Sequence, residues 1–189
     1  MSTLYTIGHS TRTLSEMLDV LHFHSVSTLV DIRAFPRSRR LPHFNRETLE
    51  KALPTAGMRY VWLKELGGYR KKQRDDSPNL ALRNASFRNY ADYMLSPEFG
   101  GAVAQLVQIA EESRTAYMCA ERVWFHCHRR VPATPGKHRY AVHSGWTRCP
   151  SPSAEHACNL SAFAIEPERP PHLRNLHWRV YIGRDGDAR

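Results

Sequence analysis

The segment 116–130, AYMCAERVWFHCHRR, is the part of this 189-residue chain whose residue types point most directly to chemistry. Its apolar start, 116–118, is typical of a β-strand, and the Cys-His-Arg that follows nine positions later is typical of the start of a helix. Two thiols, a carboxylate, an imidazole and a guanidinium fall within eleven positions: Cys119, Glu121, Cys127, His128 and Arg129. Such a set at the end of a strand indicates a functional site rather than packing alone.

Cys127 is the candidate nucleophile, because a helix N-terminus and the neighbouring cations favour the thiolate form. Cys119 is its candidate partner. The pair admits a redox couple, metal ligation together with His128, or a nucleophile with a structural neighbour, while inert buried thiols also fit the pattern. Metal ligation is the weaker interpretation, because eight positions separate the cysteines and no CxxC or HxxxH spacing occurs, so no residue is assigned as a metal ligand. The cofactor is unknown. Glu121 is the candidate acid/base, and Arg129 the candidate phosphate or oxyanion ligand.

Two further clusters follow predicted strands. His9 is a candidate general acid or base, since its ordinary pKa lies near neutrality, and Ser10 is a candidate phosphate ligand. Asp31 and Arg33 lie two positions apart on one strand face, which suggests a catalytic carboxylate beside a phosphate-binding guanidinium, or a structural ion pair. Ligands bind beyond the carboxyl ends of parallel strands, so we expect these clusters to share one crevice with Cys119 and Glu121.

Alternating strands and helices predict an α/β fold: an open, mostly parallel sheet of about four to five strands with flanking helices and an irregular C-terminal tail. The predicted strands are 5–7, 28–32, 59–63 and 115–119. The first predicted helix opens with a capping box formed by Thr13 and Glu16. Further helices are predicted at 46–56, where Asn45 can cap the start, at 87–95 and at 98–113. Gly57 is expected to end the second helix in a left-handed conformation.

The chain changes character after Arg130. The segment 132–189 is rich in proline and histidine and shows little periodicity, apart from a candidate strand at 177–183. We therefore predict an α/β domain over 1–131 and an irregular, partly disordered segment over 132–189. The histidines of that segment, with Cys149 and Cys158, have spacings too irregular to predict a zinc site.

The formal net charge of +9 is concentrated in one region. Twelve Lys or Arg residues and three acidic residues lie between Arg33 and Arg74, which suggests nucleic acid or a nucleotide as a partner, or a solvated basic surface. No apolar run is long enough for a membrane span, the N-terminus has no signal-peptide pattern, and four cysteines do not indicate a disulfide scaffold. A cytoplasmic protein without a membrane partner is expected.

Six motifs in order resemble the bacterial and archaeal family catalogued as domain of unknown function 488. They are TIGHST, VDIRAFPRSR, HFN, YVWLKELGG, CAE and CHR, and the resemblance covers about residues 3–131. It implies a cytoplasmic α/β domain and carries no established reaction. In the family, CHR opens an amphipathic helix followed by a strand, whereas here a proline-rich sequence follows Arg130, as expected of a frame-shifted or replaced C-terminus.

Three functional hypotheses follow. The preferred one is an enzyme acting on a phosphate-bearing nucleotide or nucleic acid, with Arg33 and Arg129 on phosphate and with His9, Asp31 and Glu121 in proton transfer. The second is a non-catalytic nucleic-acid-binding module that uses the basic region. The third is a thiol-based redox or metal-sensing protein.

Overall fold

A computed structural model describes residues 2–121, 127–128, 141–146 and 160–166. The strands are β1 (Ser2–Gly8), β2 (Thr28–Asp31), β3 (Arg59–Trp62), β4 (Thr115–Cys119), β5 (Ala141–Trp146) and β6 (Leu160–Glu166). The α-helices of these residues are α1 (Leu14–Phe23), α2 (Arg46–Thr55), α3 (Ala85–Tyr93) and α4 (Pro97–Glu112). None of them is long and apolar enough to cross a membrane.

The strands form one sheet in the order β3-β2-β4-β1-β6-β5. The first four are mutually parallel, and β6 and β5 add to the β1 side as antiparallel strands. The predicted class, an open and mostly parallel α/β sheet with flanking helices, is confirmed. The strands β5 and β6 lie in the segment 132–189, where the sequence predicted only a strand at 177–183, which lies outside the described residues. Both strands carry few β-branched residues, so the pairing of β6 with β1 and of β5 with β6, rather than their own pattern, defines them.

Local signals explain where most elements begin and end. Thr13 and Glu16 form the predicted capping box, in which each side chain binds the other's backbone N–H. Gly57 has a φ of +73°, as expected for the residue that ends α2. Asn45 precedes α2 as predicted, but its side chain does not cap the helix. Its Oδ1 accepts a hydrogen bond from the Ser38 N–H at 2.6 Å and so fixes the preceding loop instead.

Side chains of the central strands alternate between two apolar layers, one on each face of the sheet. On the α1/α2 face lie Tyr5, Ile7, Leu29, Ala116 and Met118, with residues of α1 and α2 such as Met17, Leu21 and Leu53. On the α3/α4 face lie Leu4, Val30, Tyr117 and Cys119, with Tyr90 and Phe99. Full burial of each large apolar side chain contributes about 1.5–3 kcal/mol, so both layers are needed to hold the sheet. The alternation decides which face each site residue occupies.

Candidate active site at the carboxyl edge of the sheet

A buried hydrogen-bond network lies beyond the ends of β1 and β2, on the α1/α2 face. Asp31, which is fully buried, accepts hydrogen bonds from the Arg33 Nε (2.9 Å), the Arg33 Nη2 (2.5 Å) and the Tyr60 hydroxyl (2.8 Å). Arg33 also donates to the Phe44 carbonyl oxygen at 2.7 Å. The His9 ring stacks on the Phe44 ring, with 4.3 Å between centroids. The predicted Asp31–Arg33 pair therefore exists, and it is built into the core.

The protonation of His9 follows from its two neighbours. Its Nδ1 lies 3.0 Å from the Ser10 carbonyl oxygen, and its Nε2 lies 3.3 Å from the Arg33 Nη1. A carbonyl oxygen can only accept and a guanidinium can only donate, so Nδ1 carries the hydrogen and Nε2 accepts. Burial, reinforced by the positive charge of Arg33, lowers the pKa of His9 to about 4. His9 is therefore neutral at pH 7, and its acceptor nitrogen is occupied by Arg33.

Arg33 is held in one orientation by these contacts. Its Nε hydrogen, both Nη2 hydrogens and one Nη1 hydrogen have partners in Asp31, Phe44 and His9, so among the residues that the structure describes only the second Nη1 hydrogen remains. Burial alone would lower the pKa of Arg33, but its hydrogen bonds to Asp31 and the charge of that carboxylate raise the pKa above the usual value. Burial and the Asp31 carboxylate likewise raise the pKa of the Tyr60 hydroxyl. The network thus keeps the Arg33 guanidinium protonated at the sheet edge, in an ion pair with the Asp31 carboxylate.

A second cluster lies on the α3/α4 face and contains both cysteines. The His128 Nδ1 lies 3.3 Å from the Cys127 Sγ and 3.7 Å from the Cys119 Sγ. The three donor atoms all lie within 4.8 Å of one another. Both cysteines are buried thiols, and the His128 ring meets the Tyr90 ring edge to face at 5.3 Å. The predicted proximity of the two thiols is present, and the imidazole joins them.

An open cavity of about 380 Å³ brings the second cluster together with Arg33. Its wall includes Cys119, Cys127, His128, Arg33 and Glu121. The side chains of Phe35 and Tyr69 also line the cavity, and they are 70% and 66% exposed. Their rings meet edge to face, with 5.5 Å between the centroids. Both rings are therefore accessible to a molecule bound in the cavity. The cavity therefore combines a cation, a carboxylate, two thiols, an imidazole and stacking surfaces.

Two glycines allow the loop after β3 to close over this cavity. A Cβ placed on Gly68 would lie 2.4 Å from the His128 Cγ, and one on Gly67 would lie 2.6 Å from the Ala34 backbone nitrogen. Neither distance is possible for real atoms, so only glycine permits this approach. The Tyr90 hydroxyl donates to the Leu66 carbonyl oxygen at 2.9 Å and holds the same loop against α3.

The residues predicted to form the site divide into distinct groups. Arg33, Cys119, Glu121 and Cys127 line the cavity. His9 and Asp31 lie behind Arg33 on the opposite face of the sheet and reach the cavity only through it. Ser10, whose φ is +49°, donates its N–H to the Ala120 carbonyl oxygen at 2.9 Å, next to the cavity wall. Arg129 lies outside the described residues. Whether these residues act in catalysis or phosphate binding stays a prediction.

Some residues of the site have no sequence signal. The Tyr60 hydroxyl donates to Asp31 at 2.8 Å, and the Trp62 Nε1 donates to the Arg33 carbonyl oxygen at 2.9 Å. Both interactions depend on β2 pairing with β3, which places Asp31 beside Trp62. The pair Gly67-Gly68 was the one available hint of a close approach to the site, because glycine is the residue used where backbone must approach another group.

The molecule is thus an open α/β protein with a cavity at the carboxyl edge of its parallel strands. Folds of this class bind their ligands at that edge. The chain belongs to the family described as domain of unknown function DUF488, whose model matches residues 13–134. The match includes β2, β3, β4 and all four helices, and it ends close to the predicted boundary at residue 131. Comparison with curated proteins and with solved structures gives no match.

Proposed function

We propose that this protein is an enzyme that acts on a phosphate-bearing nucleotide, free or within a nucleic acid, bound in the carboxyl-edge cavity. The observation that carries the proposal is that one cavity joins the Cys119–Cys127–His128 cluster, Glu121, Arg33 and two exposed aromatic rings. A planar base is the ligand that stacks best on such rings. A nucleotide also supplies the anionic group that a fixed guanidinium binds.

Each residue has a role that its contacts support. Phe35 and Tyr69 stack against the base, and the remaining Nη1 hydrogen of Arg33 binds a phosphate oxygen. Glu121 exchanges protons with the substrate, and the thiol–imidazole cluster with Cys127 is the reactive centre. His9 and Asp31 are positioning residues that hold Arg33, since the Nε2 lone pair of His9 is already used. Ser10 and Arg129 remain the other candidate phosphate ligands.

The non-catalytic hypothesis has weaker support. Apart from the buried Arg33, five of the twelve basic residues between 33 and 74 form ion pairs at the protein surface: Arg37, Arg46, Arg59, Lys72 and Arg74. Their carboxylate partners offset much of the positive charge that would attract a nucleic acid. A module that only binds would lose affinity steeply with salt and would keep it in a Glu121→Gln variant.

Turnover of a nucleotide panel by the full chain tests the proposal. The panel contains mono-, di- and triphosphates with short RNA and DNA oligomers, and chromatography detects the products. We expect turnover of at least one member and a loss of about 100-fold or more in Glu121→Gln, the usual contribution of a proton-transfer residue. Glu111→Gln removes the same charge from the exposed surface of α4 and is expected to keep the native rate. Equal rates in both variants, or no turnover by folded protein, would refute the proposal.

Affinity measurements test the stacking role separately. The Phe35→Ala variant lacks one of the two aromatic rings and is expected to bind a nucleotide about 1–3 kcal/mol more weakly than the native chain. Phe23→Ala is the matched control, because Phe23 is also an exposed phenylalanine (57%) and lies on α1, away from the cavity. Equal affinity of the two variants would show that the rings bind no base.

A further inference from the structure

The donor atoms of Cys119, Cys127 and His128 are arranged as ligands of one ion. Two sulfur atoms converge on a single ring nitrogen, His128 Nδ1, at 3.3 and 3.7 Å. A ring nitrogen has either one hydrogen or one lone pair, so it makes one linear hydrogen bond, and a second partner can only share it in weaker geometry. A hydrogen bond therefore accounts for one of these contacts, whereas a central ion accounts for both.

The two sulfur–nitrogen distances match tetrahedral zinc. Zinc–sulfur bonds of about 2.3 Å and zinc–nitrogen bonds of about 2.0–2.1 Å place sulfur about 3.5 Å from nitrogen in a tetrahedron. The two observed sulfur–nitrogen distances lie on either side of that value. Two thiolates and an imidazole are also a ligand set that favours zinc over magnesium or calcium.

The fold holds the three ligands before any ion arrives. Cys119 ends β4 on the α3/α4 face, and its side chain belongs to the apolar layer that also contains Cys127 and Tyr90. The His128 ring is fixed between Tyr90 and the Gly68 backbone. Two thiolates in this layer would be costly to bury alone, and a divalent cation would neutralise them.

We propose that Cys119, Cys127 and His128 bind a zinc ion through both sulfur atoms and Nδ1, with a further coordination position open to the cavity. Within the described part of the chain, no fourth histidine, cysteine, aspartate or glutamate joins the cluster. The cavity adjoins all three ligands, so water or a substrate atom can take the remaining position. The site stands on its own geometry, while a role for the ion in turnover rests on the proposed function.

Metal content of the full chain tests the site without any substrate. Protein purified without chelators is expected to contain one zinc ion per chain by inductively coupled plasma mass spectrometry. Replacing zinc with cobalt(II) is expected to give visible bands of a tetrahedral site and a sulfur-to-cobalt charge-transfer band. That band should fall by about half in Cys127→Ser or Cys119→Ser, because each variant removes one of two sulfur ligands.

Matched variants locate the ion. His128→Asn is expected to weaken zinc binding by more than the roughly 10- to 100-fold that loss of an outer-shell partner costs. Cys149→Ser/Cys158→Ser removes the chain's other two cysteines and is expected to keep both the ion and the cobalt spectrum. Circular dichroism identifies any variant that fails to fold, and the cobalt spectrum of the unaltered chain then decides the thiolate ligation.

The outcomes separate this inference from the proposed function. A chain that binds no zinc, a cobalt spectrum without sulfur ligation, or an ion lost only with Cys149 and Cys158 would overturn the site. Zinc bound at Cys119, Cys127 and His128 in a protein that converts no nucleotide would support the site and refute the proposed function. Full turnover by the metal-free chain would refute the ion's part in the reaction.

Discussion

Lowering the pH is expected to destabilise this protein through His9. In the folded chain, protonation would place an imidazolium against the Arg33 guanidinium, within a site that burial already makes unfavourable for charge. In the unfolded chain the same imidazole is solvated and titrates near 6.5. The unfolded state binds the proton more readily. The contribution of neutral His9 to the free energy of unfolding is therefore fully present above about pH 6.5 and is lost as the pH falls toward the folded-state pKa of about 4.

The size of the effect follows from the two pKa values. A shift from 6.5 to about 4 corresponds to about 3 kcal/mol once both states are titrated. Between pH 7.5 and pH 5, where most carboxylates stay ionised, His9 alone is expected to remove about 2 kcal/mol from the free energy of unfolding. The slope cannot exceed about 1.4 kcal/mol per pH unit, since one proton is involved.

Urea unfolding at a series of pH values measures this contribution. The native chain is compared with His9→Gln, which keeps polar atoms that can meet Arg33 and Ser10 but does not titrate. The difference in unfolding free energy between the two proteins should change by about 2 kcal/mol from pH 7.5 to pH 5, since other titrating groups cancel. His22→Gln, an exposed histidine on α1, controls for removal of a surface imidazole.

One result would refute the reasoning about His9. If the native chain and His9→Gln lose stability in parallel over this range, then His9 is not held neutral by burial and Arg33. A nuclear magnetic resonance titration of the native chain checks the same point when the variant does not fold. The His9 ring signals should stay in their neutral form at pH 6.

Other substitutions test separate contacts, each by urea unfolding. Tyr60→Phe removes the hydroxyl that donates to Asp31 and should lower the free energy of unfolding by about 1–2 kcal/mol. Its control, Tyr69→Phe at the exposed cavity rim, should change that free energy by less than about 0.5 kcal/mol. Equal effects of the two variants would mean that the contact with Asp31 contributes nothing. Gly68→Ala should cost roughly 1–3 kcal/mol because its Cβ would overlap the His128 ring, while Gly100→Ala, with open space on α4, should gain about 0.5–1 kcal/mol. A tolerated alanine at position 68 would contradict the packing of that loop. Thr13→Ala should cost about 1 kcal/mol through loss of the helix cap, and an unchanged midpoint would show that the capping box adds no stability.

Elements with local signals could be predicted from the sequence closely. The strand β4 was predicted at 115–119 and is found there, because a buried apolar run bounded by polar residues leaves little freedom in its limits. The capping box at Thr13 and Glu16 is equally local, since its donors and acceptors lie within four residues. Asn45 shows where local reasoning ends: its side chain binds Ser38 seven residues away, which only the folded loop makes possible.

The candidate site could be predicted in part. Strand ends at His9, Asp31 and Cys119 do meet at one edge of the sheet, as parallel pairing requires. Their division between two faces follows from side-chain alternation, but the sequence does not say which helices cover which face. The spacing of Cys119 and Cys127 matches no metal motif, so the convergence on His128 depends on a chain path that no local pattern encodes.

The alternation along β4 makes the chemistry of the cavity sensitive to strand register. Cys119 faces α3 and α4 only because it lies an even number of residues from Tyr117, while Met118 faces the other layer. Deleting one residue between Thr115 and Met118, with the start of β4 held in register, would turn the thiol toward α1 and α2 and place Ala120 where Cys119 was. A frame-preserving loss of one codon would thus remove a metal ligand from the cavity, with almost no change in composition.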